Sequence, residues 1–100
     1  MFGSVKALWL QTELTSSIDG ILREVQQGNA VEAQRWYFKL KKDCIKQAKT
    51  KGVSPLEIEE AALAAMPFAK QSEYLAVTRT LTEPGGVFAE IDEWLKNNDP

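Results

Sequence analysis

The amino-acid sequence predicts an all-α protein, a compact bundle of four or five helices with short loops in a single domain over residues 1–100. Three observations predict it. Apolar residues recur at three- and four-residue intervals along most of the chain, helix start and stop residues punctuate it at matching places, and no stretch of four to eight residues alternates apolar with polar side chains as a half-buried strand requires. With 44% hydrophobic and 26% charged residues the composition is that of an ordinary soluble globular chain, and its length suffices for one hydrophobic core but not two.

The first helix is read from Ser4 to about Gln27, with Leu10, Leu14, Ile18, Ile21, Leu22 and Val25 on one side and Gly28 as its stop. Thr15, Ser16, Ser17 and Asp19 form a second group of start residues that would divide it in two. Asn29 with Glu32 three residues later is the spacing of a reciprocal cap, and Gly52 after Lys49 and Lys51 marks an end, so a second helix spans Ala30 to Lys51. Ser54, Pro55 and Glu57 open a third, running to about Ala65, because proline suits the first helical position. Met66 and Pro67 interrupt it, and a fourth follows from Pro67 to about Leu81. After the turn-forming run Thr82 to Gly86, the spacing of Val87, Phe88, Ile91, Trp94 and Leu95 predicts a last helix ending near Asn97. Trp9, Trp36, Phe68, Tyr74, Phe88 and Trp94 are expected among the large packing residues.

The segment Gly28 to Ala33 with Trp36, Tyr37 and Leu40 resembles the second half of a tetratricopeptide unit over about thirteen residues. Ser17 and Glu24 stand where the preceding helix of such a unit needs large apolar residues, so the likeness is read as the shared grammar of a helical hairpin.

Several function classes are poorly supported. The longest apolar runs, Ala7 to Leu10 and Ala61 to Pro67, fall far short of the roughly 20 residues that cross a bilayer, so no membrane partner is expected. No apolar stretch after Lys6 is long enough for a secretion signal, and the lone Cys44 gives neither an internal disulfide nor a metal-ligand spacing. A reducing cytoplasmic address follows by default. Histidine is absent, removing the commonest general base near neutral pH, and Cys44 shares the face of Ala33, Trp36, Tyr37, Leu40 and Ala48, as a core thiol would. Gly85 and Gly86 lack the strand and downstream lysine of a phosphate loop, and Glu57, Glu59, Glu60, Glu90, Asp92 and Glu93 do not match a calcium loop. No enzyme, cofactor, metal or small-molecule substrate is expected.

What remains is charge polarity. Residues 29–52 carry seven of the twelve basic side chains against Glu32 and Asp43, whereas residues 53–100 have a net charge of −6. At about 100° per residue, Arg35, Lys39, Lys42, Lys46 and Lys49 form one stripe opposite the core face of the second helix. Val31, Phe38 and Ile45 run beside it at intervals of seven, also turned from the core, and on the first helix Phe2, Val5 and Trp9 lie opposite Leu10, Leu14 and Ile18. A small bundle cannot easily bury both sides of two helices, although the N-terminal turns could fold over it with Trp9 as a lid.

Three arrangements account for the strip: burial by other helices of the chain, packing against a homodimer mate or another protein, or lysines on nucleic-acid phosphates. The last is disfavoured by an isoelectric point near 5.1. The expected function is therefore a non-catalytic interaction module, a small adaptor, regulator or inhibitor that also self-associates. A nucleic-acid-associated regulator using the basic stripe is the alternative.

Overall fold

The computed structural model describes the backbone of residues 2–97 and the side chains of residues 11–97. Five helices form, with no strand among the described residues: α1 (Phe2–Gln26), α2 (Ala30–Lys51), α3 (Pro55–Ala64), α4 (Phe68–Leu81) and α5 (Ala89–Asn97). The all-α bundle and the bounds of α2 are as the sequence predicts.

Helix α1 is continuous through Thr15–Asp19. Its hydroxyls bond back into their own helix, Thr15 Oγ1 donating to the Thr12 carbonyl and Ser17 Oγ to that of Glu13, both at 3.1 Å. A hydroxyl satisfied within the preceding turn no longer competes with the helical ladder. Gly28 ends α1 in the left-handed region at φ 75°, and the Asn29 amide reaches back to the Glu24 carbonyl at 2.9 Å.

The reciprocal cap expected at Asn29 and Glu32 is not made. Asn29 makes no side-chain cap bond, its amide donating instead to Glu24 and Gln27, while Glu32 pairs with Arg35 at 3.2 Å. Ser54 does cap α3, accepting from the Glu57 amide at 3.2 Å ahead of Pro55. Gly52, at φ 71°, closes α2 by donating to Ala48.

α1 and α2 form a close antiparallel hairpin. Its tightest point is Gly20, where a β-carbon would lie 2.5–2.8 Å from ring carbons of Trp36. α3 packs on both helices, and α4 on α1 and α3. The core gathers Leu14, Ile18, Ile21, Tyr37, Leu40, Cys44, Ala62, Tyr74 and Phe88, all at most 3% exposed.

The bundle measures 43 × 32 × 19 Å, about two helix diameters in its thinnest direction, so each helix keeps an outward face. Two of the expected packing residues lie on such faces. Phe68 is 81% exposed and Trp94 51%, while Trp36 is partly buried. The side chains of Phe2, Val5, Trp9 and Leu10 lie outside the described residues.

Candidate protein-binding surface

The rotation of α2 is fixed by Ala33, Tyr37, Leu40, Cys44 and Ala48, all buried against the rest of the bundle. That rotation brings Arg35, Lys39, Lys42, Lys46 and Lys49 into solvent, as their spacing predicts. The stripe is nevertheless less free than a count of its charges implies. Lys39 bridges Glu13 of α1 and Asp43 of its own helix, both at 3.0 Å, and Arg35 pairs with Glu32. Burial lowers the tendency of the Lys39 ammonium to stay charged, but its hydrogen bonds to Asp43 and Glu13 outweigh this and leave its pKa raised. Lys42 leans over the Phe38 ring, 5.4 Å from its centre. No acidic partner is seen for Lys42 or Lys46 among the described residues.

The apolar strip beside these lysines is covered on one side. Phe38 and Ile45 are half-buried, and Val31 remains 63% exposed. Over Phe38 the cover is the C-terminal helix. Trp94 meets Phe38 edge-on, with ring centres 5.5 Å apart, and keeps half its own surface in solvent. Internal burial by the same chain therefore accounts for part of the strip and leaves a composite α2/α5 surface of Val31, Phe38, Ile45 and Trp94. Beyond Trp94 lies a shallow groove lined by Pro84, Gly85, Ala89, Glu90, Glu93 and Asn97, so the far margin of the surface is acidic.

What positions α5 is a set of bonds to α2. Gln34 Nε2 donates to the Val87 carbonyl at 2.7 Å, the Tyr37 hydroxyl donates to Asp92, and Tyr37 stacks on Phe88 with ring centres 4.1 Å apart. Phe88 reaches its fully buried place because the reversal at Gly85 and Gly86 is tight: the Phe88 amide donates to the Leu81 carbonyl at 2.9 Å. A β-carbon on Gly86 would lie 2.3 Å from that carbonyl oxygen.

Behind the surface sits a polar junction that sequence reasoning missed. Glu59 of α3 accepts from Lys41 of α2 and, at 2.9 Å, from the Tyr74 hydroxyl of α4. The Lys41 ammonium also lies 5.2 Å from the centre of the Tyr37 ring. Burial, helped by Glu59 for Tyr74 and by Asp92 and Glu59 for Tyr37, pushes both phenols far above their ordinary values. Cys44 is pushed up to about 12, by burial first and by Glu59 second, against the opposing Lys41. These groups act as protonated donors and packing atoms near neutral pH, and a thiol so held is a poor nucleophile. Among the described residues no group of three or more histidine, cysteine or carboxylate side chains could hold a metal ion, and no helix is long and apolar enough to cross a membrane.

Comparison with known proteins leaves the surface to speak for itself. No protein-family model matches the chain, and neither a curated protein nor a solved structure is significantly similar to it.

A second outward apolar face went unread in the sequence. Phe68 and Leu75 of α4, seven residues apart, are 81% and 58% exposed, while Tyr74, Val77 and Leu81 turn inward. Around them stand Ser72, Ala76 and Arg79, so this face has one charge where the α2/α5 surface has several of both signs.

Proposed function

We propose that the chain is a non-catalytic protein-interaction module, a small adaptor, regulator or inhibitor of the cytoplasm, and that it binds through the α2/α5 surface. The observation that carries this is the apolar strip left in solvent after α5 has folded against it, with Val31 63% and Trp94 51% exposed between a basic and an acidic margin. Aromatic residues set in a charged rim are the usual composition of a protein-binding patch. The inert thiol and the proton-holding tyrosines behind it serve packing in this reading.

A nucleic-acid-associated regulator is the second reading, favoured by Lys42 and Lys46 with no acid beside them. Against it stand the pairing of Lys39 and Arg35 with acids and the net −6 of residues 53–100, whose Glu90 and Glu93 edge the same surface.

The two are separated by placing a photoreactive benzoylphenylalanine at position 94 and, as a control, at Glu83. Irradiation in native-cell extract is expected to yield adducts from position 94 that protease removes and nuclease does not, competed by excess unmodified protein. Nuclease-sensitive adducts, or equal yields from the two positions, would overturn the protein-binding reading.

A further inference from the structure

Resting on that reading of the surface, we infer that its occupant is a second copy of this chain, docked about a two-fold axis that runs along α2 so that the two α2 helices lie parallel. The strip repeats every seven residues at Val31, Phe38 and Ile45, so its members stay on one side of α2 and, about an axis parallel to the helix, each would meet its own counterpart at the same level. Charge then selects the orientation. Seen down α2, Arg35 and Lys42 follow the strip by about 40–60° on one side, from a turn of about 100° per residue. Trp94, Glu90 and Glu93 of α5 flank it on the other. The surface therefore runs from basic, through apolar, to acidic across the helix.

A two-fold contact is self-complementary only if the axis carries each margin onto its opposite. An axis along α2 exchanges the two sides, setting the basic ridge of one copy against the acidic edge of the other. An axis perpendicular to α2, which would make the helices antiparallel, sets lysine against lysine and glutamate against glutamate. The levels along the helices agree as well. The Gln34–Val87, Tyr37–Asp92 and Phe38–Trp94 contacts place Glu90 and Glu93 beside the 34–38 turn of α2, at the height of Arg35 and about one turn from Lys42. Arg35 is free to re-partner, since its bond to Glu32 joins side chains 73% and 48% exposed. The α4 face of Phe68 and Leu75 offers no such selection, because Arg79 is the one charge among its near neighbours.

The test is a charge exchange read by light scattering at tens of micromolar, with circular dichroism confirming that each variant is folded. Wild type is expected near twice the 11.2 kDa chain mass. Arg35→Glu with Lys42→Glu, and separately Glu90→Lys with Glu93→Lys, should each run as a monomer, and an equimolar mixture of the two should recover the dimer mass. In a Cys44→Ala background, Val31→Cys should cross-link to itself under mild oxidation. A wild-type monomer at this concentration, or a dimer indifferent to Phe38→Asp, would overturn the second copy as occupant while leaving the protein-binding reading to the photo-adducts. A dimer in which Val31→Cys links only to Ile45→Cys of the other copy would overturn the parallel arrangement.

Discussion

Placing alanine at Gly20 tests how closely the α1/α2 hairpin is packed. In the middle of an exposed helix this change stabilises by about 0.8–1 kcal/mol, because alanine restricts the unfolded chain. At Gly20 the new methyl would lie 2.5 Å from Cδ2, 2.6 Å from Cε2 and 2.8 Å from Cγ of Trp36. Carbon atoms rest at about 3.5–4 Å, so the ring or the helix must move by about 1 Å. Trp36 has little room, being partly buried with the Arg23 guanidinium 5.9 Å from its ring centre. Overpacking of this kind costs about 1–3 kcal/mol, which exceeds the helical gain. The expected net loss is up to about 2 kcal/mol, a fall in Tm of roughly 5–10 °C for a domain of this size. The assay is thermal and urea unfolding of wild type, Gly20→Ala, Trp36→Leu and the double variant. With the ring gone, Gly20→Ala should change sign and stabilise by about 0.5–1 kcal/mol. A higher Tm for Gly20→Ala in the wild-type background, or the same sign in both backgrounds, would refute the packing argument.

The Cys44 thiol should react with a thiol reagent far more slowly in the folded chain than in denaturant, and equal rates would contradict its burial. Because its folded pKa is raised to about 12, its contribution to stability is complete below the unfolded value of about 8.5 and is lost as pH rises towards 12, by about 1.4 kcal/mol per pH unit. Urea midpoints measured across that range should fall less steeply for Cys44→Ala. Glu59→Ala strands the Lys41 ammonium and the buried Tyr74 hydroxyl together and should destabilise by about 2–4 kcal/mol, whereas Glu59→Gln, which keeps an acceptor, should cost visibly less by the same measurement. Gly86→Ala forces a methyl onto a backbone carbonyl that cannot yield, and should cost about 2 kcal/mol with loss of near-ultraviolet dichroism from the aromatic core; unchanged stability would mean that the reversal is not tight.

How much of this was legible in the sequence depends on how far each feature reaches. Gly28, Gly52 and Ser54–Pro55 act on neighbouring residues, so the ends of α1, α2 and α3 could be read from the chain itself. Cys44 was legible too, because its helix face is unambiguous. α4 was not, since apolar residues stand on both of its sides and periodicity alone cannot rank Phe68 and Leu75 against Tyr74, Val77 and Leu81. What ranks them is tertiary: Tyr74 can bury its ring because Glu59 accepts its hydroxyl. The same limit hid the Glu59 junction and the tie between Lys39 and Glu13, which depend on the relative rotation of separate helices. On the binding surface the basic stripe and the seven-residue strip are visible in the sequence, but the three- and four-residue spacing of Val87, Phe88, Ile91, Trp94 and Leu95 does not tell that Trp94 lies at the margin of the apolar face, half in solvent. The observed α5 begins at Ala89, after Phe88 has entered the core as part of a turn.

The manner in which α5 is held has a kinetic consequence. Most of the bundle joins helices that are consecutive in the chain, a topology of short loops that closes in microseconds to milliseconds. The docking of Phe88, Val87 and Asp92 onto Tyr37 and Gln34, like the Lys70–Asp19 tie of α4 to α1, spans about fifty residues, and it also waits on the reversal at Gly86. Helix α5 itself has no fully buried residue, so its amides should exchange with solvent through a local opening of lower free energy than that of the α1/α2 hairpin. In such an opening Trp94 leaves Phe38, and the strip on α2 is bare for as long as the helix is away.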